Sequence, residues 1–141
     1  MREIPLTRKD FQRLAELRAR EAGALLRTRN PMGSYYLSGY AVECALKACI
    51  AKQTGRYEFP PKPDYVRRQY THDLKELLRL ADLQQQLDED MERSPALAKN
   101  WSMVKTWGEN ARYRVSGLSG RDLYDAIIGS DGVLLWIKQR W

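Results

Sequence analysis

From Phe11 the apolar residues Leu14, Ala15, Ala22, Leu25 and Leu26 recur at helical spacing until Asn30-Pro31 interrupts them. Thr7 stands just before this run with Asp10 three residues on, the arrangement of a capped helix start, so a first helix is predicted over about 8–28. A second periodic stretch opens near Gly33-Ser34 and closes before Gly55. Pro60, Pro61 and Pro63 then forbid a helix through the next segment. After Thr71-His72-Asp73 a short helix follows, capped by Asp73 or Thr71, with Leu74, Leu77, Leu78 and Leu80 as its apolar residues. An acidic helix is predicted from about Asp82, and Ser94-Pro95 opens another, since serine caps and proline suits the first turn. Trp101, Val104, Trp107 and Ala111 form one stripe ending around Tyr113. Beyond the turn at Gly117, Ser119 and Gly120, the residues Leu123, Ile127, Leu134, Ile137 and Trp141 read as a last helix. Nothing alternates as a strand does. The pattern predicts an all-α, up-and-down four-helix bundle with an additional short helix.

The second helix departs from ordinary amphipathicity. Leu37, Ala41, Val42, Ala45, Leu46, Ala48 and Cys49 cover most of its circumference, which places it centrally in the bundle. Its polar residues Tyr36, Tyr40, Glu43 and Lys47 fall in a wedge of about 60° at roughly 100° per residue. Such a stripe faces water, a cleft, or buried partners that satisfy its charges. The plainest alternative is an exposed Glu43–Lys47 pair, worth a few tenths of a kcal/mol. Arg18 sits in the middle of the apolar face of the first helix and needs a carboxylate, for which Glu43 is a candidate.

Length and composition narrow the classes. The 141 residues, 43% apolar and 30% charged, suffice for a single domain over 1–141 and one core. No apolar run reaches the roughly 18–20 residues of a membrane span, and the charged start lacks the apolar stretch of a signal peptide, so a cytoplasmic protein without membrane contact is expected. Cys44 and Cys49 on one helix stand about 8–9 Å apart, too far for a disulfide. With a single histidine beside them, no metal site and no cofactor are expected.

The net charge of +6 is unevenly spread. Residues 8–29 carry seven basic and three acidic side chains, whereas 82–93 hold five acids and one arginine. Between these poles, the segment 55–71 interleaves Arg56, Lys62, Arg67 and Arg68 with Tyr57, Phe59, Tyr65 and Tyr70, the mixture by which proteins grip single-stranded nucleic acid. A loop pinned to the domain by its aromatics is the structural alternative.

The stretches LRAREAGALL (17–26), SYYLSGYAVECALKACIAK (34–52), HDLKELLRLADL (72–83) and WSMVKTWGENARYR (101–114), taken in order, resemble the HEPN domain. The resemblance implies a four- or five-helix bundle, usually a homodimer, with nucleotide or RNA as ligand class. It also implies a possible partner in a minimal nucleotidyltransferase, the two proteins forming a toxin–antitoxin module. Some members are metal-independent ribonucleases with an arginine and, four to six residues later, a histidine on a late helix. Here Arg112 takes the late position but no histidine follows it, so the usual acid/base group is missing. Arg67 and His72 have the required spacing but straddle the entry to the third helix. His72-Asp73 reads there as a helix-start device, His72 bonding to nearby backbone.

The residues most suited to a ligand are therefore Tyr36, Tyr40, Glu43, Lys47, Arg112 and Tyr113, cations for phosphate and rings for bases. A buried Arg112–Glu43 ion pair is the structural alternative. Three functional expectations follow: a noncatalytic HEPN-type protein binding nucleotide, RNA or a nucleotidyltransferase; a ribonuclease with a nonstandard Arg67/His72 site; and a structural homodimer.

Overall fold

The computed structural model describes residues 6–57, 70–114 and 117–141. Among the described residues there are seven α-helices, one 3₁₀ helix and no strand: an all-α helical bundle. The helices are α1 (Arg8–Arg27), α2 (Pro31–Tyr57), α3 (Leu74–Leu80), α4 (Gln84–Arg93), α5 (Pro95–Val104), α6 (Gly120–Ile128) and α7 (Val133–Lys138), with the 3₁₀ helix over Glu109–Tyr113 between α5 and α6. Of the segment 55–71, residues 55–57 belong to the end of α2 and 58–69 lie outside the described residues, with Lys62, Arg67 and Arg68 among them.

Local chemistry sets most of the boundaries. Thr7 and Asp10 form a reciprocal capping box at α1, the Asp10 N–H donating to Thr7 Oγ1 (3.2 Å) and the Thr7 N–H to Asp10 Oδ2 (2.8 Å). Asp73 caps α3 by accepting from the Lys75 N–H at 2.9 Å, Ser94 caps α5 ahead of Pro95, and Ser119 caps α6. Pro31 is the first residue of α2 rather than a spacer before it, because proline lacks only an N–H that a first turn leaves unused. The break before it comes from Arg29, whose φ of 63° closes α1 in the left-handed region while Asn30 N–H reaches back to Leu25 O at 2.7 Å.

Two stripes are divided where a single helix was expected. The tryptophan helix ends at Val104, and Trp107 and Ala111 stand on the following turn and 3₁₀ helix. The last stripe is carried by α6 and α7, separated at Gly129–Gly132. Across these breaks the 3₁₀ helix, α6 and α7 all pack on α2, whereas α5 packs on α4, α6 and α7.

That central helix contacts α1, α3, α6, α7 and the 3₁₀ helix. Ala41, Val42, Ala45, Leu46 and Ala48 are completely buried on it, and Ala15 and Ala22 of α1 are equally buried. At the far side, Asp90 of α4 accepts from Trp136 Nε1 (2.8 Å) and Arg140 Nη2 (3.0 Å), and the Arg140 guanidinium lies over the Trp136 ring. The indole hydrogen bond first, and then Gln86 and the arginines Arg140 and Arg93, hold the Asp90 carboxyl below its ordinary pKa.

Two outcomes are expected. A Cβ at Gly39 would overlap the buried Trp107 indole, so Gly39→Ala should lower stability by about 1–3 kcal/mol in urea unfolding. Because the folded pKa of Asp90 is depressed, its stabilisation is present above the ordinary carboxylate pKa and lost as pH falls through the lowered value. The midpoint difference between wild type and Asp90→Asn should therefore be largest near neutrality and shrink on acidification below about pH 4.

Candidate functional site

Glu43 is 2% exposed, in the middle of a helix whose other neighbours on the circumference are apolar. A carboxylate there requires partners for both oxygens. Lys47 supplies one from the next turn of α2, its Nζ 3.3 Å from Glu43 Oε2. His72, on the approach to α3, supplies the other, its Nδ1 2.8 Å from Glu43 Oε1. The alternative of an exposed Glu43–Lys47 pair is thus replaced by an inward one, with partners for both oxygens of the buried carboxylate.

The same imidazole faces outward with its second nitrogen. His72 Nε2 lies 3.2 Å from Glu109 Oε2, and both side chains are roughly two-fifths exposed (42% and 40%). Arg112 follows Glu109 by three residues, which in a 3₁₀ helix places the two side chains one above the other. Its guanidinium stands over the Tyr113 ring, 4.9 Å from the centroid. The Tyr113 phenol first, then Tyr36 and Glu109, raise the Arg112 pKa. A chain of contacts therefore runs from Lys47 and Glu43 through His72 to Glu109, with Arg112 one 3₁₀ turn further along.

Aromatic rings border this chain. Tyr36 packs against Tyr40 (6.0 Å between centroids) and Trp107 (6.1 Å), and Trp107 sits over the bare backbone of Gly39. Burial first, and then the coulombic influence of neighbours that include the Glu43 carboxylate, raises the Tyr40 pKa, which keeps its phenol a neutral donor. Tyr113 and Tyr70 are exposed beside the cluster's two sequence segments, at 74% and 76%.

Several expected pairings are replaced. His72 bonds the side chains of Glu43 and Glu109 and not nearby backbone, because the buried carboxylate offers a stronger, charge-assisted acceptor. Arg112 does not pair with Glu43, whose two oxygens are already taken by Lys47 and His72. Arg18 turns to Glu21 on its own helix, Nε to Oε1 3.0 Å, outside hydrogen-bond geometry. Of the six residues predicted to meet a ligand, Tyr36, Tyr40, Glu43 and Lys47 lie on α2, whose Glu43 reaches Glu109 through His72, and Arg112 and Tyr113 stand together at the end of the same 3₁₀ helix as Glu109. Arg56 falls in the last turn of α2, and Arg67, Lys62 and Arg68 lie outside the described residues. Glu109 and Trp107 carry no motif of their own; only the reach of a lone histidine between two carboxylates reveals the first.

Other chemistries find less support. The two nitrogens of His72 point to opposite carboxylates, which therefore do not converge on one point, and no group among the described residues could hold a metal ion. Burial pushes the thiols of Cys44 and Cys49 up to about 12 and about 11, far from a nucleophilic thiolate. No helix among the described residues is long and apolar enough to cross a membrane. A groove of about 260 Å³ beside Asp90, Leu97, Asp131, Leu135 and Trp136 includes none of the cluster's residues. Comparison of the chain with protein-family models, with curated proteins and with solved structures finds no match.

The inner contact should be measurable as a coupling. His72→Ala leaves the buried Glu43 carboxylate with one partner, and a loss of about 1–3 kcal/mol is expected in urea unfolding. Adding Glu43→Gln should cost less than the sum of the two changes, with a coupling of at least about 0.5 kcal/mol. Strict additivity would show the contact to be energetically silent.

Proposed function

We propose that this chain is a noncatalytic, HEPN-like module that binds nucleotide or RNA phosphate through the face where the α2 stripe meets the 3₁₀ helix. One observation carries the reading: His72 Nε2 is held at the surface against an exposed anion, the Glu109 carboxylate, with Arg112 one 3₁₀ turn further along and its guanidinium over the Tyr113 ring. An imidazole directed at an oxygen anion, with a guanidinium nearby, is a donor set that phosphate recognition uses, and an exposed tyrosine is a surface on which a base stacks. The net charge of +6 favours the approach of a polyanion to the whole molecule. The resemblance of the four sequence stretches to HEPN domains points to the same ligand class. It also makes a nucleotidyltransferase partner, a toxin–antitoxin setting and a homodimer part of the proposal.

A second reading, a metal-independent ribonuclease, draws on one feature. Glu43 holds His72 Nδ1 as a carboxylate orients a catalytic imidazole, leaving Nε2 directed outward for proton transfer. The first reading is preferred because Nε2 is engaged by Glu109 and no late-helix histidine follows Arg112.

Filter retention of a mixed single-stranded RNA pool, with cleavage scored in the same tubes without metal, separates the two. For two or three phosphate contacts, retention should weaken by about tenfold between 50 and 200 mM salt, with Arg112→Ala binding more weakly and with less salt dependence. Cleavage by wild type that disappears in His72→Ala would replace this reading with the second. Neither retention nor cleavage would leave the structural homodimer.

A further inference from the structure

His72 is used at both nitrogens, yet the two contacts differ in kind. The inner one, 2.8 Å to a carboxylate that is 2% exposed and also held by Lys47, has no access to water as a substitute. The outer one is longer, 3.2 Å, and joins two half-exposed side chains. An exposed ion pair contributes about 0–1 kcal/mol, so Glu109 can leave Nε2 for solvent at small cost. Arg112 follows Glu109 by one 3₁₀ turn and feels its charge, so an imidazole Nε2 in contact with the Glu109 carboxylate and a guanidinium nearby share this part of the surface.

We propose that Glu109 is an internal stand-in for a ligand phosphate, and that anionic ligands bind between His72 Nε2 and Arg112 by displacing its carboxylate. The inference rests on the phosphate-binding reading above and adds to it the atoms that receive the phosphate and the residue that competes for them. Oxyanion for oxyanion, the exchange keeps Nε2 paired with an acceptor, brings a second acceptor within range of the guanidinium, and leaves Glu109 rehydrated. The competitor also sets specificity. A neutral ligand lacks the charge of the carboxylate it would displace, whereas a phosphate, with more charge and more acceptor oxygens than a carboxylate, replaces it.

His72 is the only histidine of the chain, so its ring carbon–proton signals in an NMR spectrum report on this site without ambiguity. The test titrates three probes into wild type, Glu109→Gln and Glu109→Gln/Arg112→Ala: inorganic phosphate, adenosine 5′-monophosphate, and a single-stranded RNA octamer with a 5′-hydroxyl. Glu109→Gln is expected to bind at least one probe about three- to tenfold more tightly than wild type, shifting the His72 signals, and Arg112→Ala is expected to abolish that gain. A gain with phosphate and the nucleotide alone assigns the site to a terminal phosphate monoester. A gain with the octamer assigns it to the backbone diester. If Glu109→Gln binds equally or more weakly while wild type still retains RNA in a salt-dependent way, the stand-in role is overturned and the phosphate-binding reading survives. If no protein retains RNA at low salt and no probe moves the His72 signals, both fall together.

Discussion

A carboxylate with nowhere to go but inward constrains this fold. Glu43 sits on a helix that is apolar around almost its whole circumference, and removing an ionised group from water costs several kcal/mol unless its oxygens are matched. Lys47 on the same helix can satisfy one oxygen, because residues four apart share a face. The second partner must come from elsewhere, and His72 brings with it the whole start of α3. Immediately after it Asp73 caps the helix, and Leu74, Leu77 and Leu78 then bury their side chains in the common core. The register of α3 on α2 is thus set at one end by a charged contact and along its length by leucines. Hydrophobic packing alone tolerates sliding by a turn; a buried ion pair does not.

Small residues complete what the charge begins. On α2 the sequence places Gly39, Ala41, Ala45 and Ala48 among the larger apolar residues, and α1 answers with Ala15, Ala19, Ala22 and Gly23. Side chains of this size let helices approach closely and interlock with few alternative rotamers. The bare backbone at Gly39 has a particular use, because the flat face of Trp107 rests on it and Trp107 is buried two residues before the 3₁₀ helix begins. The position of Glu109 and Arg112 therefore follows from a glycine on α2. The same helix fixes the inner donor through Glu43 and the outer pair through Gly39, so both halves of the candidate site share one rigid support.

Much of this was legible in the sequence, and the part that was not has definite physical causes. Caps at Thr7, Asp73 and Ser94 show in the residues themselves, since a helix start requires a side-chain acceptor within a few residues. The all-round apolar pattern of α2 marks it as central, and its polar wedge marks the residues of the stripe. Helix ends were less visible. Arg29 and Asp82 adopt left-handed conformations at φ 63° and 58° without the glycine that usually announces them, and the divided stripe of α6 and α7 preserves helical periodicity across its break. The partners of the charged residues were invisible for a different reason. A buried carboxylate can be recognised from its position on a helix, but which of sixteen arginines, eight lysines and one histidine reaches it depends on the packing of segments far apart in the chain. Arg18 and Arg112 were both reasonable candidates for Glu43, and a histidine that sequence alone assigned to a helix start took the place.

That substitution changes what the residue can do. An arginine against Glu43 would have brought a guanidinium that stays charged at every physiological pH. An imidazole is a small ring with two nitrogens on opposite edges, and here one edge faces the core while the other faces the 3₁₀ helix. The inner contact fixes the orientation of the ring, so the outer nitrogen is directed without any further element to hold it. Orientation of this kind reduces the ordering that a ligand must impose on binding, because the donor already points where the acceptor arrives. Under the proposed phosphate-binding reading, folding and recognition share a single side chain. The interaction that satisfies a buried carboxylate is the same one that presents a polar edge at the surface, beside a guanidinium and two tyrosines.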